Sequence, residues 1–217
     1  ESESRGLGDV YKRQVVIVGI AILAWLGSRS LKLVAGTVIA FLVIGYFGMW
    51  KDTMATLAII SVATLLCISF GIPLGIWMAR SERVQLAITP VLDVMQTIPS
   101  FVYLIPVVML LGIGKVPGLI AVCIYAIPPL VRLTNLGIRL VDKEVLEAAD
   151  AFGADNRQKL FGVQIPLALP NIFAGVNQTI MMSLAMVVIA SMIGVKGLGL
   201  PVLRAVSNQY LALGLLN

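Results

Sequence analysis

An all-α bundle of membrane-spanning helices is the fold class this sequence predicts, and three observations predict it. Hydrophobic residues make up 59% of the 217 and charged residues 12%, whereas a soluble domain carries about 25% charge. Mean hydropathy is +0.99. The apolar residues gather in runs at 14–27, 33–50, 54–79, 85–111, 117–138 and 166–193. A spanning helix needs roughly 17–25 residues, so the first run is marginal and the others suffice. Without water, each backbone must satisfy its own hydrogen bonds, which makes these runs helices.

Taken in order, residues 1–13 (ESESRGLGDVYKR) are polar and unlike the rest of the chain. They are set aside as a tail or a non-native remnant. Residues 14–50 hold two N-terminal spans, and 51–217 form the main membrane domain. Charge marks the breaks: Arg29 and Lys32, Lys51 and Asp52, Arg80 to Arg83, Lys115, then Arg139 to Lys159. With the 139–165 loop in the cytoplasm, Arg29, Lys32, Arg80, Arg83, Arg132, Arg139, Lys143, Arg157 and Lys159 fall inside or at the inner boundary. Lys51, Lys115, Lys196 and Arg204 fall outside, the expected positive-inside bias, with which Lys12 and Arg13 in the tail conflict.

The net charge of +5 therefore reads as topology and attraction to anionic lipid, and argues against nucleic acid as a partner. Cys67 and Cys123 sit inside apolar runs as small hydrophobes, so no disulfide framework is expected. The absence of histidine excludes His-dependent catalysis and His-ligated metal. No cleavable signal peptide is evident. No G-x-x-x-x-G-K-[ST] phosphate loop, zinc-ligand spacing or nucleophile elbow occurs either.

The polar segment between the last two runs carries the most information. From Asp142 to Gln158 charged and small residues alternate, with Val145, Leu146, Ala149, Phe152 and Leu160 at roughly helical spacing. Asp142 suits a helix cap. Ala148, Ala149 and Gly153 leave room for another surface, Glu147 supplies a fixed charge, and Gly153 can end one helix so that a second turns across the membrane. An interfacial amphipathic helix without a partner fits the apolar positions equally well. It requires neither Gly153 nor Pro166.

Two further groups are candidates for a pathway or gate. Asp93, Gln96 and Thr97 lie near the inner end of a run, followed by Pro99 and Pro106, which remove backbone donors and kink helices. An ionisable residue at membrane depth faces a bundle interior or water, unless it lies shallow enough to reach the interface. In the 166–193 run Asn177, Gln178, Thr179 and Ser183 are polar among apolar neighbours. Interhelical hydrogen bonding is the simpler use for them, aided by Ala174, Gly175 and Ala185; lining a pathway is the sharper one. Met181, Met182, Met186 and Met192 read as packing, and Trp77, Tyr103 and Tyr125 as interface anchors.

The order Glu147-Ala148-Ala149, three residues, Gly153, nine residues, Val163-x-Ile165-Pro166 resembles the cytoplasmic EAA loop of permease subunits in bacterial ABC importers. The segments 93–118, 131–139 and 165–199 resemble more narrowly the permeases of importers for glycine betaine, proline, choline and related osmolytes, over about residues 54–205. The resemblance implies a type I ABC importer transmembrane fold in the bacterial inner membrane. It implies separate ABC ATPase subunits seated on the loop at about 142–165, and a second permease copy that makes a homodimer. An extracytoplasmic binding protein would deliver the cargo. ATP would be used by the partner, with no cofactor bound by this chain and no enzymatic activity of its own. Permeases of this kind continue into a final spanning helix, so the chain is expected to be truncated at its C-terminus. The rivals are an ion-driven secondary transporter, which would show more intramembrane acids and an internal repeat, and a non-transporting membrane scaffold.

Overall fold

The computed structural model describes residues 16–22, 25–26 and 29–207. The polar tail at 1–13 and the last residues of the chain, 208–217, lie outside the described residues, and so does part of the first apolar run. The chain divides into two compact units, Glu1–Thr53 and Met54–Asn217. In the first, helix α1 (Leu31–Tyr46) is apolar and shorter than the usual span, and Phe41 meets Trp50 edge-on at 6.2 Å between ring centroids. The remaining helices are α2 (Trp50–Arg80), α3 (Glu82–Thr97), α4 (Leu104–Leu111), α5 (Lys115–Arg139), α6 (Lys143–Ala151), α7 (Asn156–Lys159), α8 (Ile165–Ala190) and α9 (Gly199–Ser207). No strand occurs among the described residues.

The second unit is organised around α5, the most deeply buried of the long helices. Against it α2 runs parallel. Gly71 abuts Leu130, Gly75 abuts Thr134, and the Arg139 guanidinium donates to the Met78 carbonyl at 2.9 Å. By contrast α8 runs antiparallel to α5: Gly118 faces Ala190, Thr179 Oγ1 donates to the Ala126 carbonyl at 3.0 Å, and Gly137 faces Asn171. Glycine allows these approaches. A Cβ on Gly75 would stand 2.6 Å from Thr134 Cβ and 2.9 Å from the Val131 carbonyl oxygen. With no hydrophobic force between helices in lipid, such close backbone packing is the main attraction available.

The parallel pair settles how the chain crosses between them. Since α2 ends and α5 begins at opposite ends of the bundle, residues 82–111 must traverse it. They do so as a broken span: Glu82–Thr97 and Ser100–Leu111 are bent 107° to one another. The expectation of kinks at both Pro99 and Pro106 in the 85–111 run is corrected for Pro106. The break falls at Pro99. Ile98, held extended by the adjoining proline ring (φ −71°, ψ 131°), ends α3. Pro106 sits in the first turn of α4, where its missing N–H costs nothing.

Each end of the bundle is closed differently. At the end where α5 begins, Ile60, Ala63, Leu104, Ala121, Val122, Met186 and Val195 form one apolar cluster. There Gly194 turns the chain with φ +81°, and the Leu198 N–H donates to Thr56 Oγ1 at 2.9 Å. At the other end Ile138, Ala168 and Ile172 pack together, and the chain leaves α5 for the polar loop.

Candidate coupling site and pathway face

The 142–165 segment folds into a self-braced elbow. Asp142 caps α6 by accepting the Glu144 N–H at 3.0 Å. The helix stops at Ala151, and Gly153 takes φ +76°, a left-handed conformation that a side chain resists. A capping box opens α7: Asp155 Oδ1 accepts the Gln158 N–H at 2.7 Å, while Gln158 Oε1 accepts the Asp155 N–H at 2.9 Å. The Lys159 ammonium then reaches back to Asp150 at 2.6 Å, tying the two short helices. A π-helical turn, Leu160–Gln164, joins this elbow directly to α8, with Leu160 buried and Pro166 exposed in the first turn. Helix from Asn156 to Ala190 is thereby nearly unbroken. Force applied to the elbow has a stiff path into the bundle.

Of the sequence-predicted loop residues, Glu147, Ala148 and Gly153 are exposed and Ala149 is half-buried. Nothing lies within 4 Å of where a Gly153 Cβ would stand, so its backbone angle is what demands glycine. The expected apolar stripe is only partly formed. Leu146, Ala149 and Leu160 turn inward, but Val145 is exposed and Phe152 is 93% exposed. Phe152 lies just past the last helical residue, where the change of direction lifts it off the stripe. A large aromatic ring held out beside a capped elbow is the usual look of an interface anchor. Beneath the elbow a polar recess of about 370 Å³ is lined by Arg80, Ile138, Leu146, Asp150, Asn156 and Lys159, among others.

The pathway candidates fall on two faces. Asp93, Gln96, Thr97 and Pro99 are all exposed along α3 and its elbow. Asp93 forms an ion pair with Arg132 of α5, a partner that reading α3 alone did not supply. Asn177 and Gln178 are exposed on α8, whereas Ser183 is fully buried with its Oγ lacking a partner, away from that exposed face. Thr179 serves as interhelical glue, through its bond to Ala126. Tyr103 is not a free interface anchor: its hydroxyl donates to the Met95 carbonyl across the elbow of the broken span. Among the described residues no group of three or more His, Cys, Asp or Glu could hold a metal ion. Cys67 and Cys123 are both free thiols.

Two signals went unread in the sequence. Gly71-x-x-x-Gly75 is the small-residue spacing that lets helices touch, and it marks where α2 meets α5. Arg132 was counted only as a topology charge.

A broken span between two parallel helices, with a capped elbow feeding the last long helix, is the architecture of a type I ABC importer permease. The fold matches a chain of the MetNI methionine ABC transporter in an inward-facing conformation, with TM-score 0.67 and 20% identity, over 75% of this chain and 83% of that one. It also matches an amino acid ABC transporter solved with histidines, with TM-score 0.59 and 23% identity, over 77% and 82%. The chain belongs to the family of binding-protein-dependent transport system inner membrane components, which matches residues 71–215. It is 52% identical to the glycine betaine/proline betaine transport system permease protein ProW of Escherichia coli (strain K12), over 92% of this chain and 56% of that protein. It is 44% identical to the glycine betaine transport system permease protein OpuAB of Bacillus subtilis (strain 168), over 96% and 73%. The chain thus spans just over half the length of the first of these relatives. That membership places the chain among the inner membrane components of transport systems.

Proposed function

We propose that this chain is the membrane half of an ATP-driven importer for glycine betaine and related zwitterionic or quaternary-ammonium osmolytes. Separate ATPase subunits seat on the 142–165 elbow, a second permease copy completes the pathway, and an extracytoplasmic binding protein delivers the cargo. ATP binding and hydrolysis in the partner move the elbow, the helices rock, and the pathway changes the side to which it opens. Each ligand shifts that balance only through its different affinity for the two states, so ATP and the loaded binding protein must favour different conformations.

The observation that carries this reading is the elbow itself, rigid by capping and an ion pair yet presenting Glu147, Phe152 and Gly153 to solvent. The relatives' names supply the cargo. Copurification with an ATPase subunit, then uptake of labelled glycine betaine in proteoliposomes, tests it. Uptake should require ATP and survive collapse of ion gradients. Uptake driven by a gradient without ATP would return the secondary-transporter rival, and a chain that binds other cytoplasmic proteins without transport would be a scaffold. Gly153→Val should uncouple transport from ATP hydrolysis while the chain still inserts, because a β-branched residue resists φ +76°.

A further inference from the structure

The polar residues of α3 form a stripe. Gln85, Thr89, Asp93, Gln96 and Thr97 recur at helical steps down one side of the helix, while the neighbouring face, with Val84, Ile88, Leu92 and Met95, packs against Met78 and Val131. Into the stripe reaches Arg132 from α5. Its Nη2 pairs with Asp93 Oδ1, its Nε is buried with no partner, and the two side chains remain 39% and 55% exposed. Arg132 lies seven residues before Arg139, the last residue of α5, so it stands about 10 Å into the bundle. Charged groups at such depth face water or another protein surface rather than lipid.

We propose that Asp93 and Arg132 form a binding station for a small zwitterion on the translocation face. The carboxylate of the cargo takes guanidinium N–H groups of Arg132, whose fork suits a carboxylate. Asp93 holds the cationic end by charge alone, as a quaternary ammonium has no hydrogen to donate. Empty, the pair neutralises itself; loaded, a neutral cargo meets a neutral site. No stage leaves an isolated charge inside the membrane, which would be costly. An ion pair this exposed is weak and readily exchanged. Gln96 and Thr97 continue the polar wall to the 107° bend. The station rests on the reading of the chain as an importer of zwitterionic osmolytes.

The assembled importer with the full-length chain, its ATPase and a binding protein that delivers both probes provides the test. Glycine betaine and choline are the probes, because choline keeps the quaternary ammonium and lacks the carboxylate. Arg132→Gln should lower glycine betaine uptake at least tenfold relative to choline uptake, and Arg132→Lys should recover part of the difference. Asp93→Asn should reduce uptake of both probes. A role confined to stapling α3 to α5 would lower both probes equally in Arg132→Gln, and that result overturns the station. Should the Arg132→Gln variant not assemble, the unmodified complex decides. Phenylglyoxal modification of Arg132, read by mass spectrometry, should slow at least threefold with saturating glycine betaine and not with choline. Absence of that protection also overturns it. A wild-type complex that imports neither probe on ATP overturns the importer reading instead, a distinct failure.

Discussion

The α2–α5–α8 trio and the 142–165 elbow hold their shape by opposite means. In the trio, glycines let backbones approach until side chains would collide, and polar bonds from Thr179 to Ala126 and from Arg139 to Met78 add ties between helices. In the elbow almost nothing is buried except Leu160; caps and one ion pair fix it, and its largest apolar group points outward. Lipid offers helices no hydrophobic drive, so contact must come from fit. Water competes for every exposed hydrogen bond, so a short exposed helix needs its termini satisfied locally. The contrast fits a rigid body that moves whole and a handle that waits for its partner.

Changes in the two regions should therefore fail differently. Gly75→Val places new carbons 2.6 Å from Thr134 Cβ and should destabilise the trio by about 3 kcal/mol. Thermal unfolding in nanodiscs would show a clear fall in Tm, and an unchanged Tm would mean the helices separate more easily than their spacing implies. Phe152→Ala should leave Tm alone and weaken ATPase binding by about 2 kcal/mol, roughly thirtyfold in Kd. Titrating purified ATPase onto the permease in nanodiscs checks this, and equal affinity would remove Phe152 from the interface. Thr179→Val keeps shape and loses the bond to Ala126, for about 0.6 kcal/mol, read as a small drop in Tm with transport intact. The smallest effect belongs to Lys159→Met. Its pair with Asp150 is largely exposed on the acid side, so about 0.5 kcal/mol is expected, and the difference should shrink in roughly 1 M salt.

Much of the elbow was legible because its signals are local. Asp142 as a cap and Gly153 as a break depend on a few neighbouring residues and on φ. Phe152 was misplaced on the inward stripe because a periodic pattern says nothing once a helix has ended. Pro99 and Pro106 both read as kinks, and Pro90 is as visible in sequence, yet only Pro99 lies where the chain changes direction. Pro90 is accommodated inside α3 and Pro106 in the first turn of α4. Arg132 shows the same limit at longer range: its partner Asp93 is 39 residues away.

Composition, runs of apolar residues and the placement of basic ones determined by themselves that this is a polytopic helical membrane protein with one patterned polar loop. Solvent imposes those features residue by residue. Tertiary structure alone decided that α2 and α5 run parallel, that residues 82–111 cross with a bend, and that Ser183 is buried while Asp93 meets Arg132. Those outcomes depend on which helix surfaces can approach most closely, a property of pairs of helices rather than of any one stretch of chain.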